Sequence, residues 1–179
     1  MRPKPFRIEI SDVAIADLKR RLARARWPNE PAEGGWRLGT NLDYLRKLVS
    51  HWAEAYDWRQ HEARLNALPH RTVEIDGQVI HFIHVQGSGG VPRPLILTHG
   101  WPSSFLEFLP VIEPLAHPER FGGDTAEAFD VVVGSLPGYG FSAPPPRPMT
   151  ARAIARLWHR LMTEVLGYRH FVAQAGDWG

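Results

Sequence analysis

Hydrophobic and polar positions follow two different rhythms along this chain, and the change falls near residue 70. Before it, apolar residues recur at intervals of three and four. Ser11 and Asp12 can cap a helix that carries Ile15, Leu18 and Leu22 on one side and is stopped by Trp27 and Pro28. A connection rich in Pro, Glu, Gly and Trp runs to about Gly39. From Asn41 the stripe of Leu42, Leu45, Leu48, Val49, Trp52 and Tyr56 predicts a second helix, and Trp58 to Leu68 a shorter third one ended by Pro69. After residue 70 the rhythm is that of strands. Arg71 to Ile75 alternates, Asp76-Gly77 favours a two-residue hairpin turn, and Val79 to Gln86 runs back. Pro94 to Thr98 and Phe129 to Val133 are short, almost wholly apolar runs, as in buried parallel strands. A helix is expected from Ser103. Another opens at Thr150 with Ile154, Leu157, Leu161 and Val165 inward and ends at Gly167, before a last β-prone run from Phe171. The pattern predicts an α/β chain of about five strands, mostly parallel after a leading hairpin, with helices on both faces. An aromatic-rich helical segment over residues 1–70 precedes the sheet-forming residues 71–179.

Composition narrows the functional classes. With 179 residues, 44% of them hydrophobic and seven Trp, the chain can bury a sizeable core. A formal charge of +2 gives no argument for a nucleic-acid or membrane partner, and the basic run Lys19 to Arg26 reads as the wet face of a helix. The absence of cysteine excludes disulfides, thiolate catalysis and Cys-based zinc sites, and fits a reducing compartment. No apolar run approaches the ~20 residues needed to span a bilayer. Met1 to Glu9 has no uninterrupted apolar core, so no signal peptide and a cytoplasmic location are expected. His81 and His84 stand three apart on a strand, face opposite sides and cannot share a metal. Gly87-Ser88-Gly89-Gly90 forms no phosphate-binding fingerprint. No metal or cofactor is expected.

Chemistry enters through three loops. The run from Phe171 passes into Ala175-Gly176-Asp177-Trp178-Gly179, small-x-Asp-x-small, the signature of a strand turning sharply into a helix. Small flanking residues let the two backbones approach, and the central residue is pushed out above the sheet. This is the nucleophile elbow of an α/β-hydrolase with aspartate in place of serine. Gly-Asp-Trp-Gly is also an ordinary turn sequence. Its position favours the elbow, because His99-Gly100-Trp101-Pro102 and Leu136 to Ser142 also follow predicted strands, and open α/β sheets place their sites at strand carboxyl ends. An aspartate nucleophile forms an alkyl ester whose hydrolysis builds an oxyanion needing two N–H donors. The backbone N–H groups of Trp101 and Trp178 occupy the two customary places. Trp101-Pro102 is a candidate cis peptide. His99 reads as structural, since no carboxylate partner for it is evident. Both tryptophans could instead be packing residues. Serine hydrolysis is disfavoured, because Gly134-Ser135-Leu136-Pro137-Gly138 is offset by one from the serine elbow.

These motifs together resemble the first part of a microsomal-type epoxide hydrolase. The resemblance covers all 179 residues: Arg26-Trp27-Pro28, Trp36, Tyr44-Leu45, Trp52, Trp58-Arg59 and Leu65-Asn66 are similar to the family's N-terminal domain. His99 to Pro102 resembles its oxyanion-hole signature, Leu136 to Ser142 its loop after the fourth strand, and Gly176 to Gly179 its nucleophile turn, with Ala175 where many members have glycine. The resemblance implies a small-molecule epoxide substrate opened to a vicinal diol through an Asp177 ester. Trp101 and Trp178 would be the oxyanion donors, with His99, Gly100, Pro102, Gly176 and Gly179 in support. It also implies cap tyrosines, an acid and a histidine base that would all follow Gly179, so none of the nine histidines or four tyrosines here is assigned those roles. No anchor segment is seen, as in the family's soluble bacterial members. The chain alone is accordingly expected to be inactive and poorly soluble, with a last strand whose open edge invites self-association. Two other readings stay open: a non-catalytic remnant or interaction module that pairs through that edge, and, more weakly, an aspartate-dependent dehalogenase.

Overall fold

The computed structural model describes residues 1–31 and 34–179. Ala32 and Glu33, within the connection predicted up to Gly39, lie outside the described residues; beyond them Gly35–Leu38 form a 3-10 turn. The chain divides into two compact units, one of Ile8–Leu65 and one of Met1–Arg7 with Asn66–Gly179.

The smaller unit is helical. Helix α1 (Asp12–Ala23) starts where the Ser11 hydroxyl accepts the Ala14 N–H, and α2 (Leu42–Glu54) where the Asn41 side chain accepts that of Tyr44. The two helices pack on each other. Helix α3 (Trp58–Leu65) ends before the predicted Leu68. Its Glu62 gathers three donors: the Ile10 N–H at 2.7 Å, the Trp58 indole at 3.1 Å and the Arg59 guanidinium at 2.6 Å. The apolar stripes of α1 and α2 exist, yet no residue on either helix is fully buried, and Leu48 and Trp52 stay nearly half exposed. Three short helices enclose too little volume to cover them.

The larger unit is built on one sheet, with strands β1 (Lys4–Pro5), β2 (His70–Ile75), β3 (Gln78–Val85), β4 (Arg93–Thr98), β5 (Phe129–Gly134) and β6 (Val172–Ala175) in the order β1-β2-β3-β5-β4-β6. The sheet has one strand more than the five expected, because Lys4 and Pro5 pair antiparallel with Thr72 and Arg71. Two residues are too few to show an alternating pattern. Asp76 (φ 53°) and Gly77 (φ 76°) supply the two positive φ angles that a two-residue hairpin turn demands. The β2–β3 hairpin joins β5 antiparallel, and β4, β5 and β6 run parallel to one another.

Between strands, the helix expected from Ser103 begins as a 3-10 turn at Phe105–Phe108, capped by Ser104, and continues as α4 (Leu109–Ala116). Helix α5 (Ala151–Arg160), capped by Thr150, widens into a π turn at Leu161–Val165, and Gly167 at φ 81° lets the chain leave. The α5 segment buries Leu157, Trp158, Leu161 and Met162 against Ile75, Ile80, Phe82, Ile96 and Val132 of the sheet. A Cβ at Gly134 would stand 2.9 Å from the Trp158 ring, so glycine there is a packing requirement. Among the described residues no helix is long and apolar enough to cross a membrane.

Candidate active site

Three loops leave the sheet at one level. Thr98 of β4 pairs with Gly134 of β5 on one side and Ala175 of β6 on the other, so the chain exits all three parallel strands in the same row. The loops carrying His99 to Pro102, Ser135 to Ser142 and Gly176 to Gly179 therefore start side by side, at the strand ends where open α/β sheets build their sites.

Asp177 sits at the tip of the third loop with φ 56°, a left-handed conformation that is sparse for any residue with a side chain and that gathers at functional sites. Gly179 closes the turn by donating its N–H to the Gly176 carbonyl at 2.9 Å. A Cβ on Gly179 would meet the Thr98 carbonyl oxygen at 2.4 Å, and one on Gly100 would meet the Asp177 Cβ at 2.6 Å and its Oδ1 at 2.8 Å. Both glycines are thus fixed by close approach. Gly176 has open space around its Cα and faces no such demand.

The Asp177 side chain projects to the exposed surface of the loop and is held by backbone donors. The Trp101 N–H donates to Oδ1 at 2.8 Å, and the Trp178 N–H also bonds the carboxylate. The Trp101 N–H first, and the Trp178 N–H second, hold the Asp177 carboxyl below the usual carboxylate range, since both favour the ionised form. Trp101 and Trp178 are 61% and 72% exposed, so within this chain neither is a core packing residue. The Trp101–Pro102 peptide is cis.

His99 lies fully buried beneath this arrangement. Its Nε2 accepts the Leu136 N–H at 3.2 Å, which places the ring proton on Nδ1, from where it is donated to the Gly100 carbonyl at 2.9 Å. The Tyr139 ring packs edge-on against it at 5.5 Å.

Two networks, one buried and one half-buried, escaped the sequence reading. His81 accepts or donates at both ring nitrogens, to Ser135 Oγ at 2.8 Å and to His70 Nδ1 at 2.9 Å, while its backbone N–H donates to Ser142 Oγ at 2.9 Å. Ser142 in turn donates to the Ser135 carbonyl at 2.7 Å. Burial, with the neighbouring His70 second, pushes the His81 imidazole down to about 3. A serine paired to a histidine suggests nucleophilic chemistry, but Ser135 and His81 are both wholly enclosed, so no substrate reaches either. On the other side of β3, the His84 ring bonds the Tyr168 hydroxyl at 2.9 Å, which donates to Asp130 at 2.8 Å, and Asp130 also accepts the Gly87 N–H at 2.8 Å. The separate environments of His81 and His84 follow from the strand alternation. Nothing local in the sequence announces their partners.

The sheet order and the three converging loops define an α/β-hydrolase fold, and residues 93–179 match the family described as alpha/beta hydrolase fold. Residues 3–108 match the family described as Epoxide hydrolase N terminus, and the chain belongs to the epoxide hydrolase family. A protein of Stigmatella aurantiaca named "Putative epoxide hydrolase" is 44% identical over 98% of this chain and 40% of its own length. "Epoxide hydrolase 1" of Oryctolagus cuniculus is 39% identical with the same coverage of both chains. The solved structure of Aspergillus niger epoxide hydrolase superposes with a TM-score of 0.86 at 34% identity, covering 99% of this chain and 46% of that one. The chain spans about 40% of the length of these curated relatives.

Proposed function

We propose that this chain carries the nucleophilic half of an epoxide hydrolase site, with Asp177 as nucleophile and the backbone N–H groups of Trp101 and Trp178 as oxyanion donors. The observation that carries the reading is the exposed Asp177 carboxylate at a strained turn, its Oδ1 2.8 Å from the Trp101 N–H. An ionised Asp177 oxygen attacks one carbon of the oxirane ring. The C–O bond to that carbon breaks, and the freed oxygen takes a proton to become the first hydroxyl of the diol. Water then adds to the carboxyl carbon of the Asp177 ester. The negative charge that develops on the former carbonyl oxygen falls where the two N–H donors already point. Collapse of that intermediate releases the second hydroxyl with the substrate carbon and leaves one oxygen of water in the Asp177 carboxylate. The donor that protonates the epoxide oxygen and the base that activates water are not assigned to residues of this chain.

The same N–H groups serve both stages. They keep Asp177 ionised in the resting state, as a nucleophile must be, and they stabilise the oxyanion of the second step. The test is incubation of the full gene product with styrene oxide in water labelled with heavy oxygen, followed by mass spectrometry of the peptide containing Asp177. Label is expected to accumulate at Asp177 over repeated turnovers, and Asp177→Asn to lower turnover by on the order of 10³-fold or more. Turnover with an unlabelled Asp177 would show that water attacks the epoxide directly and would remove the ester mechanism.

A further inference from the structure

His99 is buried, has no access to substrate, and yet holds the peptide unit that matters most to Asp177. The Gly100 carbonyl and the Trp101 N–H belong to one trans peptide plane, so they point in opposite directions. On one side His99 Nδ1 donates to the Gly100 oxygen at 2.9 Å; on the other the Trp101 N–H donates to Asp177 Oδ1 at 2.8 Å. That plane needs an anchor. Gly100 cannot carry a side chain, because a Cβ there would collide with Asp177, and a glycine leaves its peptide freer to rotate than any other residue does. Trp101, itself well exposed, gives little hold either. The His99 ring is itself immobilised, by the Leu136 N–H at Nε2 and by the edge of Tyr139.

We infer that His99 is a positioning residue for the candidate site, whose Nδ1–H fixes and polarises the Gly100–Trp101 peptide so that the Trp101 N–H is aimed at the carboxyl oxygen of Asp177. A hydrogen bond to the carbonyl of a peptide draws electron density away from its N–H and strengthens that donor, and the low polarity around a buried ring makes the effect larger. The inference rests on the proposed ester mechanism only for its catalytic consequence. The aiming of the N–H stands independently of it.

Two substitutions in the full gene product separate the two bonds of His99. The amide nitrogen of Asn occupies the place of Nδ1, so His99→Asn keeps the donor to Gly100 and abandons Leu136. The amide of Gln reaches the place of Nε2, so His99→Gln keeps Leu136 and abandons Gly100. The Gln variant is expected to lose turnover about 10²-fold, the scale of one missing oxyanion donor, with the Asp177 ester accumulating and KM falling. Its Asp177 carboxyl, followed by carbon NMR, should titrate at higher pH than in the unaltered protein. The Asn variant should keep both properties near normal while melting at a lower temperature. Equal losses in the two variants, or an Asp177 titration unmoved in Gln, would reduce His99 to a general packing role. If the unaltered protein forms no ester, the proposed mechanism fails while the Asp177 titration still decides the role of His99. Nitrogen NMR of the unaltered protein gives a check that needs no variant: a protonated Nδ1 on His99 is required, and a protonated Nε2 overturns the inference.

Discussion

A methyl group at Gly100 would stand 2.6 Å from the Asp177 Cβ and 2.8 Å from its Oδ1, closer than real Cβ atoms come. Gly100 lies in a loop pinned by His99, so the adjustment falls on the Asp177 turn, its backbone included because Cβ moves with it, and on the bond from the Trp101 N–H. For Gly100→Ala we expect turnover of styrene oxide by the full gene product to fall about 10²-fold, the usual effect of a displacement near 1 Å in a site. The melting temperature should fall modestly, since the overpacked contact is destabilising but no buried apolar contact is lost. A steady-state rate beside a thermal melt checks both. The pattern small-x-Asp-x-small and the two Trp positions were readable because each belongs to one short loop of fixed geometry. The ring bonds of His99 and the hydroxyl of Ser142 were not readable. The Leu136 N–H that holds His99 Nε2 and the His81 N–H that Ser142 accepts lie 37 and 61 residues away, and such distances leave no local mark.

Among the elements, the loop after β5 carries the largest share of cross-links. Its first residue after Ser135 donates to His99, its last accepts from His81, and Ala143 just beyond donates to the Val79 carbonyl at 3.0 Å. The Ser142 hydroxyl satisfies two buried backbone groups at once, the His81 N–H and the Ser135 carbonyl. Ser142→Ala leaves both without partners, and an unmet buried polar group costs about 1–3 kcal/mol. A loss of about 2 kcal/mol in urea unfolding at neutral pH is expected, with the slope on urea unchanged. A loss below about 0.5 kcal/mol would mean that these groups find water. Helices α1, α2 and α5 were legible because each holds its period for several turns, β2 and β3 because they flank a two-residue turn sequence, and β4, β5 and β6 because short apolar or β-branched runs mark buried parallel strands. The two-residue β1, the 3-10 entry to α4 and the π turn after α5 were not, since tertiary pairing rather than local preference sets them.

Over the molecule as a whole, the sheet unit hides an acid-sensitive centre. His81 is wholly enclosed, stacked on His70 and surrounded by the rings of Phe6, Phe105 and Phe141. Burial first, and His70 second, push its pKa down to about 3, whereas an unfolded histidine titrates near 6.5. Below pH 6.5 the unfolded chain therefore binds a proton that the folded chain refuses. The stabilisation is complete above the unfolded value and is lost progressively as pH falls toward about 3. His84, lowered chiefly by burial, acts in the same direction. The lowered carboxylates, Asp177 among them, give way only below their ordinary values near 4. The interval from pH 6.5 to 5 thus isolates His81 and His84. His81 alone should remove about 2 kcal/mol between pH 7 and pH 5. Hydrogen exchange of the β3 and β5 amides reads this unit directly: protection should fall over that interval, and His81→Gln should flatten the fall while lowering protection at pH 7. A pH slope that survives unchanged in His81→Gln would assign the sensitivity to His84 instead, and His84→Gln should then flatten it.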